Sequence, residues 1–64
     1  MNYLEKSKQE RMKQLIAEIE DNWNAIKTEL QNEKAYKIYL LEKMQGINWN
    51  INCINLLLED EDES

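Results

Sequence analysis

A chain of 64 residues has room for one domain at most, and at this size a lone fold buries only about 60% of its unfolded surface. One cysteine, Cys53, and no histidine exclude an intrachain disulfide and the common zinc ligand sets, so oligomerisation is the remaining source of stability. The net charge of −5 is uneven: residues 1–58 carry eight basic and eight acidic side chains, and Glu59, Asp60, Glu61, Asp62 and Glu63 supply the whole imbalance.

One glycine and no proline leave too few turn formers for a β-rich domain. Glu, Lys, Leu, Ile, Gln and Asn dominate, and most of these are good or tolerable in helices. An all-α chain is expected. The N-terminal MNYLEKSKQERMK has no apolar core and predicts no signal peptide. The apolar runs at residues 38–41 and 56–58 fall far below the roughly 20 residues of a membrane span. An intracellular location, cytoplasmic or nuclear, with Cys53 reduced, is the expectation.

In chain order, the first signal is a helix start. Ser7-Lys8-Gln9-Glu10 fits a capping box, and Asn2-Tyr3-Leu4-Glu5 is a second candidate. A seam then opens at alternating spacings of four and three: Met12, Ile16, Ile19, Trp23, Ile26, Leu30, Glu33, Lys37, Leu40, Met44, Ile47, Ile51, Ile54 and Leu58. Twelve of the fourteen are apolar. A seven-residue repeat held this long marks a helix that packs lengthwise on other helices. In this register Ile16, Trp23, Leu30, Lys37, Met44, Ile51 and Leu58 are a positions; Met12, Ile19, Ile26, Glu33, Leu40, Ile47 and Ile54 are d positions. Trp23 is bulky for a two-stranded seam and suggests a wider bundle or an anchor in a partner's pocket.

Glu33 and Lys37 interrupt the seam. They read either as an i, i+4 pair beside a locally wet stretch or as a device that fixes register. A turn near Gln31-Asn32-Glu33-Lys34, giving two antiparallel helices, is a third option, but without Gly or Pro it lacks an evident mechanism. One long amphipathic helix over about residues 3–45 is therefore expected. Gly46, followed by repeated Asn, predicts a kink or break, then a short helix over about 48–58.

The stretch GINWNINCINLLL, residues 46–58, alternates apolar and Asn side chains and could be read as a strand. Asn is depleted in strands and no partner strand is visible. As a helix, Ile47, Ile51, Ile54 and Leu58 continue the seam while Asn48, Asn50, Asn52 and Asn55 fall off it, so helix is the reading taken. Trp49, Cys53 and Leu56 then form a second apolar face, with Tyr36, Tyr39 and Leu41 adding to it. Surface of that kind predicts a bundle of three or more helices or a docked partner. The acidic run at residues 59–64 is expected to be a separate, disordered tail.

No catalytic constellation is present: Cys53 has no base partner in sequence, and no Gly-rich phosphate loop occurs. The tail lacks the spacing of an EF-hand loop. No enzyme activity, cofactor or metal is expected. Lys6, Lys8, Arg11 and Lys13 are interleaved with Glu5 and Glu10, which disfavours direct nucleic-acid binding.

Met44-Gln-Gly-Ile-Asn-Trp49, after a long amphipathic helix, resembles the N-terminal helical region of borealin proteins, small helical components of the chromosomal passenger complex. The proline and arginine expected just before that element are missing, and no residue role is carried over.

The expected function is that of a structural interaction subunit, assembling with itself or with other helical chains. Its expected partner-binding residues are Met12, Ile16, Ile19, Trp23, Ile26, Leu30, Leu40, Met44, Ile47, Trp49, Ile51, Ile54 and Leu58. The alternative is a small inhibitor that docks a helix on a target and covers a basic site with its acidic tail.

Overall fold

The computed structural model describes residues 3–60. It is an antiparallel helical hairpin: α1 (Lys6–Leu30), a turn at residues 31–36, and α2 (Lys37–Asp60). Antiparallel order is fixed by cross-helix pairs: Asn50 bonds to Leu15 and Glu18, Gly46 lies against Asn22, and Tyr36 bonds to Glu29. Among the described residues there is no strand, and residues 46–58 are helical as the seam phase predicts.

The chain reverses where the seam is interrupted. Glu33 sits in the turn and Lys37 is the first residue of α2, so neither lies inside a packed seam and the i, i+4 helical pairing is not formed. The mechanism needs no glycine or proline. α1 tightens at its end, with the Gln31 amide donating to the Thr28 carbonyl at 3.1 Å and the Asn32 amide to the Glu29 carbonyl at 3.1 Å, the i→i+3 pattern that closes many helices. The Glu29 carboxylate then accepts the Tyr36 amide at 3.0 Å. It caps α2 from the other helix, where a negative charge is favoured.

The predicted break at Gly46 does not occur: α2 runs through it without positive φ. The glycine serves close approach instead. A Cβ there would stand 2.7 Å from Nδ2 of Asn22, so the missing side chain leaves room for α1. The single helix over residues 3–45 is likewise corrected to two helices of 25 and 24 residues.

At the N-terminus Glu5 is the cap residue, with no side-chain cap bond. Ser7 lies inside the helix, so its capping box is not used. Gln9 Nε2 donates to the Leu4 carbonyl at 2.8 Å instead. Asn2 lies outside the described residues. At the other end α2 extends through Glu59 and Asp60, where a disordered tail was expected; adding residues to an existing helix is cheap, and Glu is a good helix former. Residues 61–64 of the expected tail lie outside the described residues.

Candidate protein-interaction face

The seam between α1 and α2 keeps the d row and replaces the a row. Met12, Ile19, Ile26, Leu40, Ile47 and Ile54 are all buried or half-buried. Their companions are the g row, the residues just before each a position: Leu15, Asn22 and Glu29 on α1, and Lys43, Asn50 and Leu57 on α2. Leu15 and Ile26 are the buried apolar side chains among the described residues, the rest of the two rows being half-buried or polar. Each such burial stabilises by about 1.5–3 kcal/mol, a small core for two long helices.

Asn50 is the buried polar member, 5% exposed, and corrects the expectation that all four asparagines fall off the seam. Its Nδ2 donates to the Leu15 carbonyl at 3.4 Å and to Glu18 Oε1 at 3.0 Å. The amide is thereby satisfied, as a buried polar group must be. Lys43 extends from the seam so that its Nζ lies 5.3 Å from the Tyr39 ring centroid, an apolar stem with its charge over an aromatic face.

The a row is left outside. Ile16, Trp23, Leu30, Met44, Ile51 and Leu58 are between 42% and 60% exposed. At 100° per residue the a row lies about 90° around each helix from the midline of the d and g rows. Because the two helices run in opposite directions, the two a rows point to the same side of the hairpin. Six large apolar side chains therefore share one face. The e rows edge it: Lys13, Glu20 and Lys27 on α1, and Leu41, Asn48 and Asn55 on α2, all exposed.

Of the sequence-derived partner-binding residues, the six on the d rows are spent largely on the hairpin and the six on the a rows form this face. Trp49, 70% exposed, is separate, on the far side of α2 with Leu56. The g-row residues Leu15, Asn50 and Leu57 were not anticipated. The signal available was the pair of leucines, apolar at g on both helices. Among the described residues there is no pocket and no group of three or more metal-ligating side chains. No described helix is long and apolar enough to cross a membrane.

No family model, curated protein or solved structure matches the chain. Its own surface chemistry is therefore the guide to its role.

Proposed function

We propose that this protein is a non-enzymatic interaction subunit whose helical hairpin associates with further helices through its exposed a-row face. One observation carries this reading: large apolar residues at heptad spacing on both helices, all on one side and all substantially exposed. An apolar face of that extent on a protein this small is costly unless covered, and the hairpin core alone is thin. The d row, shared between the hairpin seam and the edge of the face, makes covering it a continuation of the packing already present.

Sedimentation equilibrium with circular dichroism on the same sample tests the reading. The expected result is helicity that rises with assembly, either of the chain alone or on addition of a helical partner. A chain that stays fully helical and monomeric at all concentrations, with the face bare, would overturn it. Deleting residues 59–64 separates it from the inhibitor alternative, since assembly through the face survives the deletion whereas inhibition through an acidic tail does not.

A further inference from the structure

We propose that the occupant of the a-row face is a second copy of this chain, and that the two hairpins form a four-helix bundle in which α1 of each packs against α2 of the other. This rests on the reading above and names its partner. In a four-helix bundle the a and d rows point to the shared centre, the g row to one neighbouring helix and the e row to the other. The hairpin has the first half of that arrangement: d and g rows packed, a row bare on one side.

The area fits. Two helices of this length side by side present a face of roughly 700 Å² per copy, against about 800 Å² per partner in a stable interface.

Two isologous arrangements can pair this face with itself. In one, the two-fold axis runs along the bundle and α1 meets the copy's α2. In the other the axis crosses the bundle and α1 meets the copy's α1. The edge charges and the heights of the a-row side chains favour the first. The first sets Lys13, Glu20 and Lys27 opposite Asn55, Asn48 and Leu41, at the same heights that Asn50 and Gly46 take against α1 within the hairpin. No like charges meet. The second sets each charge against its like when the three residues are in step, which is unfavourable at an interface, and needs a slide of one heptad to bring Lys13 opposite Glu20. The first also places Ile16 level with Ile51 and Trp23 level with Met44, a large rigid side chain beside an adaptable one.

The experiment uses the full chain carrying Trp49→Phe, which leaves Trp23 as the one tryptophan. As concentration rises, the mass should double while Trp23 emission shifts to the blue on the same curve. In that background Asn48→Lys and Asn55→Glu should each tighten the dimer about two- to tenfold, facing Glu20 and Lys13, and Asn48→Glu and Asn55→Lys should loosen it by a similar factor. These positions are exposed and outside the hairpin seam, so the fold is left intact. If both charges at Asn48 loosen the dimer, α2 meets its own copy and the arrangement is overturned. If Trp23 stays solvent-exposed in a dimer, the face is wrong. A poorly folded monomer overturns the second copy while leaving an interaction subunit that needs another chain. A fully helical monomer overturns both.

Discussion

Leu15 and Ile16 are neighbours with nearly the same chemistry, and α1 gives them opposite fates: Leu15 is 2% exposed and Ile16 is 42% exposed. The hairpin seam passes between them. Leu15→Ala should cost about 3 kcal/mol, as for a fully buried leucine, and abolish helicity at every concentration. Ile16→Ala should preserve helicity at high concentration and shift assembly to higher concentration instead. Far-UV dichroism and sedimentation at matched concentrations read both. Equal loss of helicity in the two variants would mean that the seam covers Ile16 as well as Leu15.

Asn50 holds α2 to α1 at a single height through the Leu15 carbonyl and Glu18. Asn50→Ala leaves a gap and loses both bonds, and should destabilise by about 1–2 kcal/mol. Asn50→Leu replaces the amide with an apolar side chain of similar size and should be neutral or stabilising, at the expense of a unique register. Urea midpoints give the first effect, and amide chemical-shift dispersion the second. A leucine variant as unstable as the alanine one would mean the amide contributes to stability rather than to register.

Gly46 tests close approach against helix propensity. Alanine gains up to about 1 kcal/mol of helical stability over glycine, and its Cβ would meet only the amide end of Asn22, which can rotate. Gly46→Ala should therefore raise the melting temperature slightly. Gly46→Ile should lower it clearly, because the atoms beyond Cβ have to fit where the Cβ alone already stands 2.7 Å from Nδ2 of Asn22, and so large a side chain forces the helices apart. Thermal melts of the two variants should move in opposite directions.

Glu29 is the cross-helix cap of α2. Glu29→Ala should cost about 1 kcal/mol, within the range for a lost cap, and Glu29→Gln should recover most of it because an acceptor for the Tyr36 amide remains. Hydrogen exchange at that amide is the direct readout: it should speed up in the alanine variant while the middle of α1 stays protected. Unchanged exchange would show that the turn closes without the carboxylate.

The sequence by itself determined that the described chain is helical, including residues 46–58, because the apolar period of 3.5 persists through the asparagines and no strand partner exists. It also located the d row, which the hairpin packs, and the a row, whose periodicity is visible without coordinates. Three features belonged to tertiary structure alone. The reversal at residues 31–36 is accompanied by the Glu29 carboxylate, near the end of α1, capping an amide seven residues ahead, a relation that Gly and Pro content does not report. The closeness of Asn22 to Gly46 is visible only once α1 lies beside α2, so the glycine that read as a break is a place for contact. The rotation of the seam onto d and g arises because periodicity fixes where the apolar rows sit around a helix, but only the neighbouring helix decides which edge of a broad apolar stripe is covered and which is left bare.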